Sequence, residues 1–187
     1  LILWFYFLYS HLSDWQESQQ ELKKAPLLSG MATFPMAGMI LSTYLLRILP
    51  TSMGIIAQAL WWFAFLLDVG LIIYFTKNYV QTKPRTNATP SWTVLYVGIA
   101  VASLTYPVVG IVEIAYGAWI FGFTLTLFLY PLIYQDLKSN PLPQALLGQE
   151  GIYCAPFSLL LAALVRIGGS GLHGWILLVM ILASQTF

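Results

Sequence analysis

Apolar residues fall in runs close to the thickness of a bilayer: residues 1–12, 27–49, 53–75, 94–109, 111–134, 152–167 and 172–187. A helix of about 20 apolar residues crosses a hydrocarbon core of about 30 Å. The pattern therefore predicts five complete or nearly complete membrane helices and two cut ones. The runs alternate in kind. Runs 27–49, 94–109 and 152–167 hold small residues, glycine and hydroxyls in the first two and alanine and serine in the third, with Pro35, Pro107 and Pro156 inside the apolar stretch or at its end, where each proline is expected to kink its helix. Runs 53–75 and 111–134 are aromatic, with Trp61, Trp62, Phe63 and Phe65 on one and Trp119, Phe121, Phe123 and Phe128 on the other. Small residues let backbones approach and leave room for a solute, whereas bulky aromatics cover the apolar outside of a bundle. The expected fold is an all-α membrane protein of helical hairpins around a central pore, with inner proline and small-residue helices and outer aromatic ones.

The connections sort the helices into pairs. Residues 81–90, with two prolines, three threonines and Asn87, form the clearest linker, and residues 139–143 a second. The turns near residues 49–52 and near Val109 are short, so antiparallel hairpins are expected over 27–75 and 94–134, with a third starting at Ile152. Residues 1–187 read as a single transmembrane domain. The chain opens at Leu1 and both ends fall inside apolar runs, which predicts a fragment of a longer protein. Residues 1–12 lack the basic leader and cleavage site of a signal peptide.

Small residues on the proposed inner helices recur at helical spacing. Gly98, Ala102 and Thr105 form one stripe, and Ala155, Ser158 and Ala162 another. On the first inner helix Gly38 and Ser42 are four apart, with Thr33 and Ala37 on an adjoining face. Such stripes have two readings, helix packing or pore lining. The pore reading makes Thr33, Ala37, Gly38, Ser42, Gly98, Ala102, Thr105, Ser158 and Ala162 lining residues, and on it Ala102→Trp blocks flux without disturbing assembly.

Composition and charge exclude a soluble class. The chain is 59% hydrophobic and 8% charged, against the roughly one quarter charged that is usual for soluble domains. Its mean hydropathy is +0.77. A net charge of +1 suggests no nucleic-acid surface. Lys23, Lys24, Lys77, Lys83, Arg85 and Lys138 all fall on one side if each run crosses once, which puts the longer loops in the cytoplasm. The Asn87-Ala88-Thr89 sequon would then face the cytoplasm.

Ionisable groups in or near membrane helices are few, and each is a functional candidate. Asp68 is the most isolated; it is either a coupling carboxylate or half of a buried structural pair with a neighbouring helix. Arg47 and Arg166 sit at the other ends of inner helices, where they either draw anions to a mouth or snorkel to headgroups. Glu113 reads as a structural partner for either arginine. Trp92, Tyr96, Tyr130 and Tyr134 read as interface anchors. His11 and His173 are far apart and lack companions at ligand spacing, and Cys154 is the only cysteine, so no metal cluster, cofactor site or catalytic constellation is expected.

Two longer stretches are similar to a known family. Pro90-Ser91-Trp92-Thr93-Val94-Leu95-Tyr96-Val97-Gly98-Ile99-Ala100-Val101-Ala102, followed by Thr105 and Pro107, resembles the opening of the fifth helix of the tellurite-resistance/dicarboxylate transporter family. Gly148-Gln149-Glu150-Gly151-Ile152-Tyr153-Cys154-Ala155-Pro156-Phe157-Ser158-Leu159-Leu160-Leu161 resembles that family's approach to its seventh helix. The family includes bacterial TehA-like proteins, the slow anion channels of plant guard cells, and fungal malate and sulfite transporters. Its members have ten helices in five hairpins, odd helices lining a pore and even ones outside, commonly as trimers. The resemblance implies that the present runs are helices two to eight. It implies a membrane-embedded homo-oligomer in a prokaryotic inner (plasma) membrane that passes small inorganic or organic anions without covalent chemistry. The family's phenylalanine gate lies on the ninth helix, which has no counterpart here. The competing expectation within the family is a proton-coupled carrier or exporter of C4-dicarboxylates, sulfite or tellurite, with Asp68 as its only support in this chain.

Overall fold

A computed structural model describes residues 25–82, 87–141, 144, 148, 151–152 and 155–168. The runs 1–12 and 172–187, His11, His173, Cys154, Lys23, Lys24, Lys83 and Arg85 lie outside the described residues. The described residues are helical with no strand. Helix α1 is Ala25–Gly30 and α2 is Thr33–Ile48; α3 is Gly54–Phe75 and continues through a π-helical turn, Thr76–Val80. Helix α4 is Ser91–Gly98, α5 is Val101–Thr105 with a 3-10 turn at Tyr106–Val108, α6 is Val112–Ser139 and α7 is Ala155–Gly168. Three helical stretches, Ala25–Ile48, Gly54–Val80 and Val112–Ser139, are long and apolar enough to cross a membrane, and the pair Ser91–Gly98 and Val101–Val108 makes a fourth if it is one bent span. The chain is an all-α membrane protein.

Helices α2 and α3 pack along each other as one hairpin, and α4 and α5 pack against α6 as a second, with α7 against α5 and α6. Helix α4 lies at the centre: every residue from Ser91 to Gly98 is buried except the half-buried Val94. The aromatic helices carry the outer surface. Phe63 is 59% exposed, Phe128 69% and Ile73 51%. In lipid these faces cost nothing, because hydrocarbon is as apolar as they are.

The prolines lie at the starts of regular helical segments. Pro35 is the third residue of α2, Pro156 the second of α7, and Pro107 the second of the 3-10 turn that ends α5. Proline is tolerated in a first turn, where its missing N–H has no intrahelical use. The inner bend instead lies at the break Ile99–Ala100, where α4 and α5 meet at 42°. A two-residue interruption at Met31–Ala32 separates α1 from α2 within the single Ala25–Ile48 span. The proline inside a long helix is Pro131, on aromatic α6.

Several polar groups in this apolar bundle are satisfied, some of them across helices. The Trp61 indole donates to Thr105 Oγ1 at 2.7 Å, and Thr105 donates to the Val101 carbonyl at 2.9 Å. Trp119 donates to the Leu160 carbonyl at 2.9 Å, tying α6 to α7. Ser103 donates to the Ala115 carbonyl, and the Ala88 amide donates to Asp136 Oδ2, which pins the end of the 81–90 linker to α6. Gly110, with φ +75°, turns the chain from the 3-10 segment into α6 in the left-handed region that favours glycine.

Three tyrosine and tryptophan anchors turn out to be core. Trp92 is fully buried and meets Phe75 edge-on, with centroids 5.1 Å apart. Tyr96 is buried with its hydroxyl 2.7 Å from Thr76 Oγ1; Thr76 itself donates to the Ile72 carbonyl, so Tyr96 is the donor. Tyr130 packs on Phe157. Tyr134 alone of the four is exposed, at 66%.

Candidate functional site

The small-residue stripes divide into two sets. Gly38, Ser42, Gly98, Ala102 and Thr105 are all buried. A Cβ on Gly38 would come within 3.0 Å of the Ala64 Cβ, and one on Gly98 within 2.7 Å of the Met36 sulfur, so these glycines hold α2 against α3 and α4 against α2. Ser42 donates to the Met39 carbonyl at 2.5 Å within its own helix. Ala102 has no exposed surface. Gly38, Ser42, Gly98 and Ala102 therefore make helix contacts, whereas Thr105, also buried, borders the cavity described below.

The second set faces outward. Thr33 and Ala37 on α2 and Ser158 and Ala162 on α7 are exposed. On α2 the exposed face continues at helical spacing through Ile40 and Tyr44 to Arg47, and on α7 through Val165 and Arg166. Both faces run toward the same end of the molecule.

At that end the structure joins them. A cavity of about 410 Å³ is lined by Ile40, Thr43, Leu46 and Arg47 of α2, by Leu104 and Thr105 of α5, by Pro107 and Val108, and by Arg166 of α7. Arg47 and Arg166, 119 positions apart in the chain, thus share one concavity with apolar walls. Each lies in the last turn of its helix, where a cation is favoured by the carbonyl end of the helix dipole. That preference explains either arginine singly, but not their convergence. Among the described residues neither has an ion-pair partner, so the pairing expected for Glu113 is not formed. Glu113 sits instead in the exposed first turn of α6, where the helix dipole favours an anion.

A cavity that holds two guanidinium groups and no carboxylate among its lining residues favours anions over cations. A family model described as SLAC1, voltage-dependent anion channel, matches residues 1–187. The chain belongs to the voltage-dependent anion channel family. No curated protein and no solved structure matches it. Membership in the anion-channel family places the chain's function within transmembrane anion transport and makes it a channel or transporter component, in keeping with membrane-spanning helices and small anions as the transported class.

Asp68 stands apart from this mouth. It lies on α3 among the buried residues Trp61, Ala64, Ile72 and Phe75, fully buried, and both carboxyl oxygens lack a hydrogen-bond partner. Among the described residues the neighbouring-helix pair expected for it is not formed. Mutational data put the cost of an unsatisfied buried polar group at about 1–3 kcal/mol, which keeps this carboxyl a functional candidate. Its place on α3 was legible in the sequence; its lack of a partner was not.

Proposed function

We propose that the chain forms one mouth and part of the wall of a passive path for small anions. The observation that carries this reading is the convergence of Arg47 and Arg166 on one cavity, into which the exposed faces of α2 and α7 lead. The arginines raise the local anion concentration, Thr33, Ala37, Ser158 and Ala162 supply a neutral wall, and selectivity comes from width and backbone dipoles. The protein works as a homo-oligomer, a trimer by family resemblance, in a prokaryotic inner membrane. Lys77 and Lys138 mark the cytoplasmic end, and the two arginines the opposite one. The test is double neutralisation. Arg47→Gln with Arg166→Gln is expected to lower chloride flux about tenfold at low ionic strength, the lower end of what electrostatic focusing supplies. The difference narrows in about 1 M salt, where the screening length falls to about 3 Å. Equal flux at both salt concentrations removes the arginines from the path.

A second reading, a proton-coupled carrier of dicarboxylates, sulfite or tellurite, is favoured by one observation: the buried carboxyl of Asp68 with both oxygens unpaired. On the passive reading, Asp68→Asn leaves downhill chloride flux unchanged in proteoliposomes. Loss of acid-driven malate or sulfite uptake in that variant, with the protein still monodisperse, replaces the passive reading with the coupled one.

A further inference from the structure

A second cleft, of about 460 Å³, opens between α3 and α6 at the Lys77 end of the molecule, opposite the arginines. One wall is Ile72 and Ile73 of α3, and the facing wall is Phe121, Leu125, Leu129 and Leu132 of α6. The α6 residues recur at intervals of four, four and three, so they form one continuous stripe. From Phe121 to Leu132 that stripe is about 16 Å long at about 1.5 Å per residue. It matches one leaflet of a hydrocarbon core of about 30 Å. Trp92 and Tyr96 of α4 also line the cleft.

The polar groups are gathered at one end. Thr76, Lys77, Val80 and Gln81 line the cleft in and just after the π-helical turn where α3 ends. Thr76 and Tyr96 satisfy each other, whereas the side chains of Lys77 and Gln81 are exposed and have no partner among the described residues. The Trp92 indole N–H also lacks an acceptor. The cleft is open along its side, since Ile73 is 51% and Phe121 40% exposed.

We propose that this cleft binds an anionic phospholipid, which lays one acyl chain along the α6 stripe and sets its phosphate against Lys77. A slot one leaflet deep, bounded by two membrane-facing helices and apolar over its length, fits a hydrocarbon chain. Lys77 beside the neutral amide of Gln81 at its open end complements a phosphodiester carrying one negative charge. A free phosphate would leave the apolar walls unfilled. The site is independent of the anion path, because no lining residue is shared with the arginine cavity.

The test is native mass spectrometry of the natural protein after exchange into mixed phosphatidylglycerol and phosphatidylcholine. The wild type is expected to retain phosphatidylglycerol preferentially. Lys77→Gln is expected to reduce that preference about fivefold, the discrimination one surface cation supplies against an anionic leaflet. Ile73→Trp, which fills the cleft from an exposed position, is expected to lower retention of both lipids. Equal retention of the two lipids by the wild type, or retention unaffected by both substitutions, overturns the proposal. So does efficient disulfide formation between copies carrying Ile73→Cys in a bilayer, because the cleft would then be a protein interface.

Discussion

Ala102→Trp is expected to yield no monodisperse protein. Ala102 has no exposed surface, and α5, which carries it, packs against α2, α6 and α7. Extra methylenes in a packed interior typically cost about 1–3 kcal/mol, and an indole adds far more volume than that comparison covers. On the sequence alone, Ala102→Trp is a plug that spares assembly; in the folded bundle it is a wedge. Size-exclusion chromatography after detergent extraction decides between them. A normal yield of monodisperse Ala102→Trp with flux abolished would return this stripe to the path.

Ala162→Trp is expected to do what was anticipated of Ala102. Ala162 is exposed on α7, one turn from Arg166 and on the face shared with Ser158. A bulky ring there meets no core side chain, so the variant assembles normally, while chloride flux falls to near background as the wall between α7 and α2 is obstructed. Flux assays on monodisperse protein check this. Full flux through Ala162→Trp would mean that the exposed face of α7 is turned to lipid.

How far the molecule could be read in its sequence depends on whether a property belongs to one helix or to several. The aromatic runs became α3 and α6 because hydrophobicity and length are local properties, and the exposure of Phe63 and Phe128 follows from their bulk in a chain with so few charges. The break at Ile99–Ala100 has no proline to announce it, and the prolines that drew attention, Pro35, Pro107 and Pro156, start helical turns instead of bending helices. The interruption at Met31–Ala32, by contrast, falls one turn before Pro35, where a proline's missing donor is expected to break the helix. Trp92 and Tyr96 carry the amphipathic signature of interface anchors, but their rings fill the space beside Phe75, a contact set by how α3 meets α4.

The candidate site shows the same limit. Arg47 and Arg166 are each visible in the sequence as helix-end cations, and only the topology puts them in one cavity. A small residue in a membrane helix marks a close approach without saying what approaches. For Gly98 the answer is the Met36 side chain, and for Gly38 it is Ala64. Thr33, Ala37, Ser158 and Ala162 are likewise small, but they face away from the buried set.

The zero-current potential of the natural protein in a planar bilayer tests the central claim most directly, with chloride replaced on one side by a bulky impermeant anion and the same cation at equal concentration on both sides. A passive anion path predicts a potential near the chloride Nernst value. A potential at zero, or no current at all, would contradict it.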